Sequence, residues 1–540
     1  MHSVLLVLLS LLGLYLLQTL LEFRRAIHSV GWVPLLPRND MTESYPARHL
    51  PGPRLLLNPM WFLGQVIRRA LPPIRYMSRE PSWMIKGGYQ DFAAAGKDAI
   101  ALAGVFPTPR ATIFLADAAA IKEVATSRAR FPKPLRLYSA LSVFGSNIVA
   151  SEGEEWKRYR TITAPAFSER NTRLVWDETS RIMFDLFDNV WGDSPEIVLD
   201  HCVDITLPIA LFVIGVAGFG RRVTWTSDLI VPPGHQMTFK DALHILSSNL
   251  GLKIILPNWA MNLTEHTRRV NLAFSELKQY MVEMVDDRRS AETKEKCHDL
   301  FSGLLDAAHD DPDGGVAITE QELIGNTFIF LLAGHETTAH TLCFSFALLA
   351  LYPDEQERLY QQIKGIMTEL NGIPTYEDMN LFTLSLAVLY ETLRMFPPVP
   401  GIPKYAAEDT SLTVDNADGG KTTFPVPSGT DLQFHVIALH YNPRYWKDPH
   451  TFRPERFLEE WPRDAFLPFS AGVRGCLGRR FFETESIAVI TMMMLKYRVE
   501  IKEESEFIGE TFEQRFARVT ASEQLLTNTP GRVPLVFKRR

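Results

Sequence analysis

The chain has 540 residues, 46% of them apolar and 22% charged, which is enough hydrophobic material for a sizeable core and excludes a disordered or wholly membrane-embedded protein. Its net charge of -7 excludes a generic nucleic-acid binder, which carries a basic surface. Cys202, Cys297, Cys343 and Cys476 are too few and too scattered for a disulfide framework and include no C-x-x-C pair for zinc, which points to a reducing compartment.

The first element is the run Ser3 to Leu21, 19 residues without a charge, long enough to span a bilayer at about 1.5 Å per residue. No basic segment precedes it and no small-residue cleavage site follows, so residues 1–22 read as a single-pass transmembrane anchor and not a signal peptide. Arg24 and Arg25 then place the bulk of the chain in the cytosol. Residues 23–50 follow as a stiff linker punctuated by Pro34, Pro37 and Pro46. From 51 to 540 there is no repeat, low-complexity tract or second linker, and one domain is expected, mainly α with smaller β-sheets (α+β). Strand-like pieces occur at 111–116 (ATIFLA) and 431–439 (DLQFHVIAL). Cys297, beside His298, lies in a charged stretch that reads as exposed helix or loop, and Cys343 reads as a small core residue.

The most informative helix opens at a T-x-x-E capping box, Thr319 to Glu322, and runs on until Pro353. Such a rod is roughly 50 Å long and, apolar on nearly every face, must be buried. Its centre nevertheless reads Ala333, Gly334, His335, Glu336, Thr337, Thr338. Gly costs about 1 kcal/mol there relative to Ala, and a buried Glu costs more unless partnered. A polar network that fixes packing is one explanation. The succession of Gly, acid and Thr favours another, in which the missing side chain makes room for a ligand and Glu336 with Thr337 offers a proton path.

Further on, Glu391 and Arg394 share a helix face that Pro397 ends, and Arg456 in FRPERF (452–457) is positioned to complete a buried Glu/Arg/Arg cluster. Finally, PFSAGVRGCLGRR (468–480) sets Cys476 among glycines just before an apolar run.

Together these segments resemble the cytochrome P-450 superfamily of haem-thiolate monooxygenases. The family pattern F-x-x-G-x-R-x-C-x-G fits Phe469, Gly472, Arg474, Cys476 and Gly478, and AGHETT fits its oxygen-binding motif. Glu391 and Arg394 fit its E-x-x-R pair, PERF its meander, and WKRYR its W-x-x-x-R element as Trp156 and Arg160. The five motifs occur in family order, and the resemblance covers about residues 51–540.

The resemblance implies the cytochrome P-450 fold and a haem b whose iron takes Cys476 as axial thiolate, a ligand that favours O–O cleavage. It implies Phe469 over the proximal haem face and Trp156, Arg160 and Arg474 at the propionates. Lys404 stands where many relatives carry arginine, which exchanges a fork for a point charge. O2 is then expected in the groove opened by Gly334, with Thr337 bonded to it, Glu336 feeding protons, and His335 a groove or network residue. With no dinucleotide fingerprint in the chain, electrons are expected from NADPH–cytochrome reductase at the endoplasmic reticulum membrane. Lys157, Arg158, Arg479 and Arg480 read as its docking patch or as ordinary solvated charge. Segments 131–149 and 242–259 and the turn near Phe516 to Ala521 are expected to line an apolar pocket. The chain looks most like fungal microsomal members of secondary metabolism, so a lipophilic substrate is expected, terpenoid or sterol-like first and a fatty acid second. A haem-thiolate isomerase or dehydratase stays open, although such branches often lack the acid–threonine pair, and so does a non-catalytic haem sensor or carrier.

Overall fold

In the computed structural model the run after Thr319 is one helix, Glu320–Leu351, of 32 residues. Both halves of its capping box form: the Glu322 N–H donates to Thr319 Oγ1 at 3.2 Å and the Thr319 N–H to Glu322 Oε2 at 2.7 Å. These bonds satisfy two of the donors that a helix start leaves open. Pro353 opens the next helix, Pro353–Leu370, at a position where its missing N–H is no loss.

The structure describes residues 10, 13–15, 17–19, 21–22, 50–51, 54–57, 82–106, 110–221, 225, 230–290, 300–308 and 318–540. These divide into two compact units: Met1–Pro134, Val399–His450 and Pro462–Gly475 in the first, and Leu135–Pro398, Thr451–Trp461 and Cys476–Arg540 in the second.

The first unit is built on a five-stranded sheet in the order Arg54–Leu57, Ala99–Phe106, Arg110–Leu115, Asp431–His435, Gly401–Tyr405. Trp83, Phe92, Ile100, Leu102 and Phe114 form its apolar cluster. The strand expected at 431–439 stops at His435. The His435 ring accepts the Ala438 N–H at 3.0 Å, and a short helix, Val436–His440, replaces the rest of the strand. A side-chain cap here overrides the β-branched pattern.

The second unit holds the long helix, which packs on Val203–Phe219 and Thr383–Met395. The helix after the cysteine loop, Arg479–Lys496, packs on Glu169–Asp185. Its small sheet is antiparallel, Glu196–Leu199, Leu535–Arg539, Tyr497–Ile501, and a separate hairpin pairs Ser522–Gln524 with Asn528–Pro530.

Of the expected anchor, residues 10, 13–15, 17–19 and 21–22 are described; they are helical, and Leu14, Tyr15, Leu17 and Leu21 are exposed. The remainder of residues 1–22, the linker from 23 to 49, and Cys297 lie outside the described residues. Among the described residues no helix is long and apolar enough to cross a membrane.

Candidate functional site

The loop before Cys476 is set by its own backbone. Gly472 has φ 67, and a Cβ there would lie 3.0 Å from the Ala125 carbonyl oxygen, so both conformation and space demand glycine. The Gly475 N–H donates to Gly472 O at 3.0 Å and closes the turn, while the Leu467 N–H donates to His440 Nε2 at 2.8 Å. Past the cysteine, the Phe482 N–H reaches Gly478 O at 2.8 Å and the 479–496 helix begins.

Cys476 is exposed, whereas Cys202 and Cys343 are buried. Protein crowding still raises the Cys476 thiol pKa, opposed first by the Gly478 N–H and then by the charges of Arg479 and Arg160. An N–H aimed at sulfur and nearby guanidiniums are what a thiolate ligand requires. Cys343 is pushed well up by burial and by a hydrogen bond with Cys202, which fits two core thiols and no ligand.

Trp156 and Arg160 lie one turn apart on the Gly153–Thr163 helix; the indole is buried, and the guanidinium sits 5.9 Å from its centroid. The second unit therefore brings Cys476, Arg160 and Trp156 together. Lys404, buried on the Gly401–Tyr405 strand, and Phe469 and Arg474, both half-buried in the cysteine loop, belong to the first unit. A reachable thiol of this kind, flanked by cations and a buried indole, fits a haem, whose iron needs an anionic ligand and whose propionates need donors.

On the long helix Ala333 is exposed, and Phe330, Gly334 and Thr337 are partly so, which makes one open strip at i, i+3, i+4 and i+7 in the otherwise buried stretch from 323 to 349. A Cβ on Gly334 would lie 3.0 Å from Ile214 of the Val203–Phe219 helix, so the missing side chain lets these two helices approach. Thr337 Oγ1 donates back to Ala333 O at 2.9 Å. Glu336 is buried; its Oε1 accepts the Thr527 hydroxyl at 3.0 Å, and its Oε2 has no partner among the described residues. Burial drives the Glu336 pKa up to about 7, with the Thr527 bond opposing. Burial drives His335 down to about 4, and its Nδ1 lies 2.8 Å from Leu331 O, so it serves as a network residue.

Thr527 was not among the expected residues. The hairpin that carries it packs on the long helix, whereas the pocket turn was expected at Phe516 to Ala521, in and just beyond the helix Phe512–Val519. Its only sequence signal is the turn-rich stretch TNTPG.

Glu391, Arg394 and Arg456 do form the expected cluster. Glu391 takes Arg394 Nε at 2.7 Å and Nη2 at 2.8 Å, Arg456 Nε at 3.0 Å, and the Arg453 N–H at 2.9 Å. The basic patch is more constrained. Arg158 is tied to Glu322 of the long helix's capping box, Lys157 lies 2.5 Å from Glu154, and Arg479 and Arg480 lie 2.8 and 3.7 Å from Glu483.

Comparison with known proteins agrees with this geometry. A model of the cytochrome P-450 family matches residues 87–526. Cytochrome P-450 monooxygenase 124 of Postia placenta is 50% identical over 542 residues, covering 100% of both chains. Cytochrome P-450 monooxygenase ORF6 of Penicillium roqueforti is 30% identical over 493 residues, covering 82% of this chain and 84% of its own. The crystal structure of a cytochrome P-450 haem domain superposes with a TM-score of 0.71 at 20% identity, covering 91% of this chain and 98% of that one. The chain belongs to the cytochrome P-450 family. It is a monooxygenase of that class, an oxidoreductase that uses O2, and its cofactor is haem with a cysteine thiolate on iron.

Proposed function

We propose that Cys476 is the thiolate ligand and that the enzyme inserts one oxygen atom from O2 into a C–H bond of a lipophilic substrate. The observation that carries this reading is the exposed Cys476 thiol in its glycine-set loop, where the Gly478 N–H and the charges of Arg479 and Arg160 work against the burial and the Glu483 charge that raise its pKa. Haem b, when bound, supplies the oxygen-activating chemistry.

The chain's own residues do the rest. By the family resemblance, Trp156, Arg160, Arg474 and Lys404 would supply cations and donors to the propionates, and Phe469 would pack against the haem. The open strip of Ala333, Gly334 and Thr337 would border the reacting space. Thr337 contributes its hydroxyl there. Glu336, with a pKa brought to about 7, can hold a proton and release it near neutral pH, as an acid in this role must.

Electrons come from NADPH–cytochrome reductase, with half-exposed Lys157, Arg479 and Arg480 as candidate docking charges. The charge-free run Ser3–Leu21 supports an endoplasmic reticulum anchor at 1–22, with a linker at 23–50 and the catalytic domain at 51–540 in the cytosol. The substrate we favour is terpenoid or sterol-like, in secondary metabolism. Segments 131–149 and 242–259 are largely apolar, and a relative from Streptomyces melanosporofaciens, 29% identical over 67% of this chain and 74% of its own, is named cyclooctat-9-en-7-ol 5-monooxygenase.

Two measurements test the reading. Cys476→Ala loses the thiolate-type spectrum of the reduced carbon monoxide complex, while Cys202→Ala and Cys343→Ala keep it; a Cys476 variant with an unchanged spectrum refutes the ligand. With reductase, Thr337→Ala and Glu336→Gln consume NADPH but divert it from product to hydrogen peroxide. Unchanged coupling in both would make the polar insert structural.

A further inference from the structure

The proton path to Glu336 needs a second member, and the structure offers one from outside the long helix. Thr527 Oγ1 lies 3.0 Å from Glu336 Oε1 and 2.9 Å from His340 Nδ1, and all three side chains are buried. Glu336 and His340 are four residues apart on one helix face, and Thr527 bridges them from the C-terminal hairpin.

We propose that Thr527 is the positioning residue for Glu336, and that His340, Thr527 and Glu336 form a proton relay. The inference rests on the reading of Glu336 as a proton donor given above.

The three side chains act as a unit because they share their hydrogens. Thr527 has one hydroxyl hydrogen and two neighbours. When it donates to the Glu336 carboxylate, the His340 contact is a hydrogen bond only if Nδ1 carries the imidazole's hydrogen. Moving the Nδ1 hydrogen to Oγ1 and the Oγ1 hydrogen to Oε1 protonates Glu336. If one proton enters at Nε2 in the same step, His340 remains a neutral imidazole with its hydrogen on the other nitrogen. One proton enters, one arrives on the carboxyl, and no charge is left on His340 or Thr527. The ring suits this passing role. Burial holds His340 down to about 3, and the groups opposing its charge are His335 on the same helix, His201 just before the 203–219 helix and His244 on Phe239–Ile255. It therefore transmits protons at neutral pH without storing one. For Glu336, burial is opposed by Thr527 alone.

The first test uses resting, haem-loaded full-length enzyme and needs no turnover. The protonated Glu336 carboxyl is followed by infrared difference titration and assigned by its disappearance in Glu336→Gln. Thr527→Val removes a donor to the carboxylate, so the titration midpoint rises by about one to two pH units. Thr527→Ser keeps the hydroxyl and the wild-type midpoint. An unmoved midpoint in Thr527→Val overturns the positioning role.

The second test asks for the relay. His340→Phe, or His340→Gln should the first not fold, lowers product formed per NADPH by about tenfold or more. Full coupling in the His340 variant, alongside impaired coupling in Glu336→Gln, overturns the relay and leaves the role of Glu336 standing. Full coupling in Glu336→Gln itself overturns the earlier reading instead.

Discussion

Replacing Glu391 by Gln tests what holds the core of the second unit. Glu391 and Arg394 are 0% exposed and Arg456 is 5%, and the carboxylate accepts three guanidinium bonds and one backbone bond. Gln keeps the shape and one acceptor oxygen but removes the charge, stranding two guanidiniums away from water. Breaking a buried ion pair from one side costs about 3–5 kcal/mol, a large part of the roughly 5–15 kcal/mol that keeps a protein folded. Arg456→Met is the milder change, because Arg394 still engages both oxygens of Glu391; the loss expected is about 1.5–3 kcal/mol, the worth of a charged hydrogen bond. Denaturant unfolding of the haem-loaded enzyme, followed by far-ultraviolet circular dichroism and the Soret band, measures both. A Glu391→Gln midpoint equal to wild type, or an Arg456→Met loss larger than that of Glu391→Gln, would refute the reasoning.

Two further outcomes are expected. Because burial raises Glu336 from 4.5 to about 7, its contribution to stability is full below pH 4.5 and falls as pH rises through 7, by about 3 kcal/mol in all. Glu336→Gln lacks that loss, so a wild type and a variant with parallel stability profiles from pH 5 to 8 would contradict the burial argument. Deleting residues 1–22 lowers the membrane-bound fraction but leaves the haem spectrum intact; Trp259 and Leu263, 70% and 67% exposed around the Ala260–Asn262 turn, account for any residual attachment. A truncated protein that folds without binding haem would break this division of labour.

What was legible in the sequence was local. The long helix carries its start signal and its stop within four residues of each end, and the cap forms as read. The Glu391 to Arg394 spacing fixes a shared face, and Arg456 joins it through a short meander. The 431–439 segment misled because apolar β-branched residues fit a buried strand and a buried helix equally well, and the deciding contact was a histidine cap. Gly334 reads in the sequence as making room for a ligand, whereas the side chain that its missing Cβ accommodates here is Ile214, 120 residues away in the sequence. Thr527 was invisible for the same reason. A hydroxyl in a hairpin of three-residue strands carries no period, and its meaning appears only when it meets Glu336 across 191 positions.

The polar residues of the long helix separate by where their bonds end. Asn326 accepts the Ile148 N–H at 2.9 Å and pins that loop to the helix; Ser345 donates to Thr392 at 3.1 Å and joins two helices. Their capacity is used within the fold, and removing either would be a matter of stability. Glu336 is the buried carboxylate among them: one oxygen is engaged by Thr527 while the other, like the Thr327 hydroxyl, has no partner among the described residues. A carboxylate left half satisfied in an apolar helix is costly. Its neighbour in the chain, Thr337, lies on the open strip in the middle of the helix. The proton role proposed for Glu336 would account for that cost, since it needs an acid poised near neutrality more than it needs a well-packed core.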